Sequence, residues 1–333
     1  MFTKMLCRLA VASSVAIFTS ISTATAQEVI KWDLLGYLGI NSPSTKLLVD
    51  FANDVETRTN GKLRITVRSA GELPYPAADY HRVVGRGDVQ MADTAWLSGD
   101  IPATGALTLP FLVQNFTELR TAMNAISPIV NAGLERFGAQ ALFYYSFPVA
   151  NFWGTGQAPK DIASFRGRKI RGLTPEHSEL ISALGAAPAT IATPEVMTAL
   201  QYGTIDTAIT SAYGLTGAKW DSLIKWTFTV DLAPSPSFVI VNREALEALP
   251  EDVRTVLEEV AMEHQDKMLN AIERDEFTAT AALIEKKLKV IKASDTDRSI
   301  LTPIAEELWQ RWPEGRGEGA QEAFDAIHKA LKR

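Results

Sequence analysis

One uninterrupted helical pattern in the last third of the chain constrains the fold more than any other feature. Residues 249–289 read LPEDVRTVLEEVAMEHQDKMLNAIERDEFTATAALIEKKLK, with no glycine or proline after Pro250. Their apolar residues recur with a roughly helical period: Val253, Val256, Leu257, Val260, Met268, Leu269 and Ile272. A helix of about 35 residues runs about 50 Å, which exceeds one lobe of a chain this long. We therefore expect two lobes with one helix packed across both.

Strand and helix patterns alternate along the rest of the chain. VIKWDLLGY (29–37) has the apolar density of a buried strand, residues 42–59 have helical spacing, and KLRITVRS (62–69) alternates strictly. This alternation predicts an α/β fold with parallel, doubly wound sheets. Residues 139–159 form an apolar stretch too long for one ordinary strand. We expect it to leave one lobe and enter the other, with breaks at Pro148 and Gly154.

The first 26 residues have the pattern of a secretory signal peptide. Two basic residues, Lys4 and Arg8, precede a short apolar run, and Ala24-Thr25-Ala26 provides a small-x-small cleavage site. We therefore expect export across a membrane and a mature chain that begins near Gln27 and contains no cysteine. Its 31 basic and 39 acidic residues carry a formal net charge of −8. That balance argues against a nucleic-acid partner, which would require a concentrated basic surface.

The motifs of catalysis and metal binding are missing from the sequence. Its four histidines lie far apart and form no ligand pair, and the chain contains neither a G-x-S-x-G elbow nor a Walker loop. We predict that the protein is not an enzyme and uses no metal or other cofactor. An enzyme on a binding-protein scaffold, with Asp93 as a base, is the alternative that this pattern disfavours.

A short basic cluster occurs in this acidic chain, in FRGRKIRGL (165–173). It contains Arg166, Arg168, Lys169 and Arg171. Such a run is usually a solvated edge, which is our expectation for the first three. Arg171 differs because it ends the predicted strand KIR, and ligands of open α/β sheets bind outside the carboxyl ends of the strands.

Several stretches resemble the solute-binding subunit of TRAP transporters, the DctP family of periplasmic receptors. The resemblance rests on STKLLVDFANDVETRTNGKLRITV, on the G-E-L to L-P-F segment (71–112), on DIASFRGRKIR, on PEVMTALQYGTIDTAIT and on NREALEALPEDVRTVLEEVAMEH. It covers nearly all of residues 27–333, in order. It implies a type II periplasmic-binding-protein-like fold, with two α/β lobes joined by crossing strands and by the long helix, and a ligand enclosed between them.

The resemblance also implies a role for Arg171, which matches the end of the family's "KiR" motif and would grip the solute's carboxylate. The rigid guanidinium fork suits this role because it can donate to both carboxylate oxygens in parallel. Other positions that match the cleft of relatives are Asp93, Trp96, Asn151, Thr210 and Tyr75.

The predicted cleft has a single arginine and many rings. Trp96, Tyr75, Trp153, Tyr213, Phe147 and Phe238 are candidates for its walls. One cation with aromatic walls suits an organic monocarboxylate, and an aromatic carboxylate such as a benzoate is our leading expectation. Sugar acids and small 2-oxo or 2-hydroxy acids are the alternative, as is the interpretation that half of these rings are core.

The resemblance implies partners and a division of the chain. The partners are the small and large membrane subunits of a TRAP permease, although a sensor subunit would use the same cleft. We expect a monomer. We assign residues 27–149 and 236–276 to lobe I, and residues 150–235 and 277–333 to lobe II.

Overall fold

The structure is a computed structural model, and it describes residues 28–95 and 97–333. The predicted signal peptide (1–26) lies outside this range. The described part contains eleven strands: β1 (Ile30–Leu35), β2 (Leu63–Arg68), β3 (Met91–Thr94), β4 (Ala139–Phe147), β5 (Asn151–Gly154), β6 (Lys169–Gly172), β7 (Ala187–Thr190), β8 (Thr207–Thr210), β9 (Trp226–Thr229), β10 (Ser235–Asn242) and β11 (Lys289–Lys292).

Ten α-helices connect these strands within the described residues. They are α1 (Pro43–Arg58), α2 (Tyr80–Gly85), α3 (Phe116–Glu135), α4 (Pro175–Ala183), α5 (Val196–Gln201), α6 (Ala212–Gly217), α7 (Arg243–Glu247), α8 (Glu251–Glu285), α9 (Asp295–Arg311) and α10 (Ala320–Leu331). Short 3-10 segments occur as well, among them Pro102–Thr108 and Thr193–Glu195. Over the same described range, no helix is both long enough and apolar enough to cross a membrane.

The strands form two sheets, and each sheet is the centre of one lobe. Lobe I has the order β2-β1-β3-β10-β4, and lobe II has the order β11-β9-β5-β8-β6-β7. Each lobe has its own buried core, because the strands are covered by helices and bury apolar side chains on both faces. This confirms the predicted two-lobe α/β architecture.

The sheets are mixed, so the expectation of purely parallel sheets was wrong. Strand β10 runs antiparallel to both β3 and β4, and β5 runs antiparallel to both β8 and β9. Both are crossing strands: β5 follows β4 of the other sheet after three residues, and β10 follows β9 after a short segment. A strand that enters a sheet directly from the other lobe has no crossover helix to reverse it, so it joins its neighbours in the opposite direction.

The long helix is a single element of 35 residues, as its sequence predicts. Its buried residues from Val253 to Ile272 belong to the lobe I core, whereas Leu283 belongs to a lobe II core. Helix α8 therefore spans both lobes.

The C-terminal segment departs from the predicted division of the chain. Helix α9 packs into lobe II through Leu301 and Leu308, as expected for residues 277–333. Helix α10, however, buries Ala320, Ala323 and Ile327 in the lobe I core, where it packs against α3. The chain thus returns to lobe I at Trp312, because the apolar face of α10 matches the surface of α3.

Candidate functional site

The main cavity of the described residues lies between the two lobes and has a volume of about 460 Å³. Lobe I contributes the segment after β1 together with Ser69 and Ala95, and the crossing segments contribute Phe147, Pro148 and Ser235. Lobe II contributes the ends of its strands and the turn after α6. The lobe II residues that line the cavity are Arg171, Leu173, Thr193, Pro194, Met197, Ile209, Thr210, Ser211, Tyr213, Gly214, Gly217, Ala218, Lys219 and Trp220.

Arg171 lies deep in this cavity and is only 2% exposed. Its Nε donates to the carbonyl oxygen of Ile191 at 3.0 Å, and its terminal nitrogens donate to the carbonyl oxygen of Ile209 and to Oγ1 of Thr193 at 3.5 and 3.2 Å. These three bonds use three of the five N–H groups of a guanidinium. Two N–H groups are left for a ligand.

None of the acceptors around Arg171 carries a charge. No carboxylate among residues 28–95 and 97–333 pairs with it, and burial lowers its pKa to about 10. A buried cation without a counter-charge is costly, and an anion that enters the cavity removes that cost. The site is therefore built to accept a negative charge.

Rings and aliphatic side chains line the same cavity as this cation. The ring of Trp220 lies under the guanidinium, with Arg171 Cζ 5.8 Å from its centroid. The rings of Tyr213 and Phe147 pack against each other at 5.6 Å between centroids with an interplanar angle of 57°, and Met197 adds an apolar wall. A flat or apolar ligand body would bury apolar area against these walls.

The lobe I wall contains Tyr37, whose side chain is backed by a hydroxyl network. Behind it, the hydroxyls of Tyr145 and Ser237 donate to Asp93, at 2.8 Å to Oδ2 and 2.5 Å to Oδ1. Burial and the neighbouring Asp93 raise the pKa of Tyr37, so this phenol is neutral.

Three predicted site residues meet in the cavity: Arg171, Thr210 and Tyr213. Phe147, which the sequence suggested as a wall, is there too. Trp96 lies outside the described residues. Asp93 does not line the cavity but stands behind it, where Tyr145 and Ser237 hold both of its oxygens.

Asn151 does not line the cavity but lies beside the two segments that cross between the lobes, residues 148–150 and 230–234, which we call the hinge. Its Oδ1 accepts from the backbone N–H groups of Val230 and Asp231 at 2.7 and 2.8 Å, and its Nδ2 donates to Oδ1 of Asp231 at 3.3 Å. It therefore ties β5 to the segment that leads into β10. Asp231 has a left-handed φ of 56°, which this clamp helps to hold.

The remaining predicted aromatic residues belong to the lobe interiors. Trp153 is buried in lobe II, and its Nε1 donates to the carbonyl oxygen of Thr210 at 2.8 Å. Phe238 is buried on β10, and Tyr75 is half-buried against the lobe I core. None of the three lines the cavity. For these three positions the better interpretation was therefore the alternative, that half of the candidate rings belong to the core.

The residues of the basic cluster also differ in their environment. Arg166 and Lys169 are exposed, as expected for a solvated edge. Arg168 is held more firmly: it donates to the carbonyl oxygen of Gln157 at 2.8 Å and stacks over Trp226, with Cζ 5.0 Å from the ring centroid. That expectation was therefore wrong for Arg168.

Most of the chain matches a known protein family. Residues 36–314 match the DctP family, described as bacterial extracellular solute-binding protein, family 7. The chain belongs to the DctP family.

Relatives of this DctP-family chain align along most of their length. A solute-binding protein of Verminephrobacter eiseniae is 24% identical over 290 residues, which are 85% of each protein. DctP7 of Bordetella pertussis, described as an extracytoplasmic solute receptor binding pyroglutamic acid, has a similar structure with a TM-score of 0.84 at 22% identity, covering 90% of this chain and all of that one. A TRAP periplasmic solute binding protein from Desulfovibrio salexigens with bound orotic acid gives 0.82 at 18%, covering 91% and 99%. These structures share the two-lobe fold.

Two cavity residues of this DctP-family chain escaped sequence reasoning. Tyr37 follows β1 by two residues, so the rule that ligands bind at the carboxyl ends of strands was a sufficient signal for it. Trp220 begins a 3-10 segment in an irregular region, where no periodic pattern indicates which way a side chain points.

Proposed function

We propose that this DctP-family protein is the periplasmic receptor of a TRAP transporter and that it captures a small organic monocarboxylate between its lobes. One observation carries the proposal: Arg171 is a buried cation in the interlobe cavity with two uncommitted N–H groups and no acidic partner among the described residues. A carboxylate supplies both the missing charge and two acceptor oxygens.

The body of the ligand is the finer part of the proposal. An aromatic carboxylate such as a benzoate is our leading candidate, because the rings of Trp220, Tyr213 and Phe147 line the cavity that contains Arg171. The names of DctP7 and of the Desulfovibrio salexigens protein identify pyroglutamic acid and orotic acid as their ligands, and both are carboxylic acids on a ring. A sugar acid or a small 2-oxo or 2-hydroxy acid is the alternative ligand.

The proposal also includes the location of the receptor and its partners. The signal-peptide pattern of residues 1–26 would deliver a monomer to the periplasm, where it would hand its ligand unchanged to the small and large membrane subunits of a permease. A sensor subunit would use the same cavity. Mass spectrometry of the ligand recovered from the protein would exclude receptor function if it showed turnover.

A thermal-shift screen of carboxylates tests the proposal. Ligands that bind only the native state raise the melting temperature by mass action. We expect shifts with benzoates, pyroglutamate or orotate and none with the matching neutral amides. A response to uronates alone would remove the aromatic ligand and keep the carboxylate receptor, whereas equal shifts with acids and amides would refute the role of the charge.

A further inference from the structure

A second cation lines the interlobe cavity, at the turn that follows α6. Lys219 is part of the cavity wall and, unlike the buried Arg171, it is exposed. It directly precedes Trp220, whose ring centroid lies 5.8 Å from Cζ of Arg171. The two cations therefore belong to the lobe II wall of one cavity, with Arg171 in the interior and Lys219 where the cavity meets solvent.

The charge of Lys219 is not offset by an acidic group. The cavity lining contributed by residues 28–95 and 97–333 includes no aspartate and no glutamate. Asp221, the acidic residue nearest to Lys219 in sequence, pairs with Lys286 at 2.7 Å. Lys219 forms no salt bridge with any residue that the structure describes. The cavity is therefore positively charged at its rim as well as in its interior, and an anionic or oxygen-rich ligand suits both places.

The backbone of Lys219 does not by itself set it apart from other exposed lysines. Its φ of 61° is left-handed, and its N–H donates to the carbonyl oxygen of Thr216 at 3.0 Å, in the turn after α6. Lys287, with a φ of 62° in the turn after α8, has the same conformation and is also exposed. The difference between them is the cavity, which Lys219 lines and Lys287 does not. Lys287 is therefore a matched control for Lys219.

The size of the cavity leaves room for a ligand that extends from one cation to the other. A cavity of about 150 Å³ is enough for benzene, whereas this one has about 460 Å³. A benzoate held by Arg171 would therefore fill only part of the space. An acid with a second oxygen on the far side of its body has an acceptor for the ammonium group of Lys219, which donates hydrogen bonds and carries a full charge.

We propose that Lys219 determines specificity by donating to a second oxygen acceptor of the bound acid, remote from the carboxylate that Arg171 holds. This inference rests on the proposed carboxylate function and deepens it. It restricts the preferred ligands to acids with a distal hydroxyl, carbonyl or carboxylate oxygen. An acid whose ring is unsubstituted lacks this contact and binds more weakly.

Titration calorimetry with matched acids tests the inference. Benzoate is compared with meta- and para-hydroxybenzoate, isophthalate and terephthalate, and cyclopentanecarboxylate is compared with pyroglutamate, which has a ring carbonyl. The best oxygen-bearing acid should bind the wild type about three- to tenfold more tightly than its unsubstituted partner, between an exposed ion pair and a hydrogen bond to a charged group. Lys219→Met should lose this gain and bind the unsubstituted acid as the wild type does. Lys287→Met should behave as the wild type with every probe.

Other results would overturn the inference and leave the carboxylate receptor intact. They are the absence of a gain from any distal oxygen in the wild type, a gain that persists in Lys219→Met, and an equal loss for both members of a pair in that variant. The last result would mean that Lys219 acts only through its long-range charge. A gain with isophthalate or terephthalate alone keeps the contact and replaces the monocarboxylate of the proposed function by a dicarboxylate.

Failure of the proposed function has a different signature. It fails if no probe binds the wild type, and this inference then fails with it. It also fails if Arg171→Met binds all of the probes with unchanged affinity, because the carboxylate shared by every probe would then have no anchor at Arg171.

Discussion

Asn151 offers a sharp test because sequence and structure assign it different roles. The sequence placed it among the ligand-binding residues, whereas the structure shows it holding Val230 and Asp231 at the hinge. Asn151→Ala removes the side-chain oxygen that accepts hydrogen bonds from both of these backbone N–H groups. The N–H of Val230 is buried and loses its partner, whereas that of Asp231 is part-buried and can be hydrated.

The expected loss in the free energy of unfolding is about 2 to 4 kcal/mol, since an unsatisfied buried donor costs about 1 to 3 kcal/mol and the part-buried bond contributes less. Ligand affinity should change by less than about fivefold, because Asn151 does not line the cavity. Urea unfolding and calorimetry on the same preparation measure the two quantities.

Asn131→Ala is the matched control. Its Oδ1 also accepts from one backbone N–H, that of Ala141 at 3.0 Å, but the bond lies within lobe I, away from the hinge. We expect a smaller loss of stability there and no change in affinity. If Asn151→Ala leaves stability unchanged while affinity falls more than about tenfold, the hinge assignment is refuted.

Three further predictions concern other buried residues. Glu176→Ala should lower the free energy of unfolding by about 2 kcal/mol, because the buried Trp312 indole N–H loses its acceptor and Arg316 keeps only its second carboxylate partner, Glu179. Urea unfolding measures this loss, and a value below about 1 kcal/mol would contradict the prediction. Burial and the nearby Arg171 charge lower the pKa of His177 to about 3, so stability should fall by up to about 1.4 kcal/mol per pH unit below about pH 6.5, where the unfolded state binds the extra proton. His177→Gln removes this proton difference between the unfolded and native states, so stability should fall less steeply with decreasing pH. An unchanged slope would refute a neutral His177. Trp220→Leu should weaken benzoate by up to about tenfold and a 2-oxo acid much less, as calorimetry would show; equal losses would contradict a ring contact.

The elements that sequence reasoning predicted well are those whose cause is local. The long helix follows from 35 residues without a breaker, and the place of Arg171 in the cavity follows from its position at the end of a short strand. Both inferences need only periodicity and the rule about strand ends.

The errors arise where the partner of a side chain is distant in sequence. Asn151 is bonded to residues about 80 positions away, and Asp93 is held by Ser237, 144 positions away. A polar residue near a strand end can serve a ligand or the protein's own backbone, and the sequence pattern is the same in both cases. The packing of α10 on lobe I depends in the same way on a match between distant surfaces.

The central claim is that Arg171 binds the carboxylate of the ligand. Calorimetry of the best carboxylate from the screen, with wild type, Arg171→Met and the exposed neighbour Arg166→Met, tests it most directly. A charged hydrogen bond is worth about 1.5 to 3 kcal/mol, so Arg171→Met should weaken binding by about 10- to 150-fold, while Arg166→Met should bind as the wild type does. Equal affinity in all three proteins would contradict the claim.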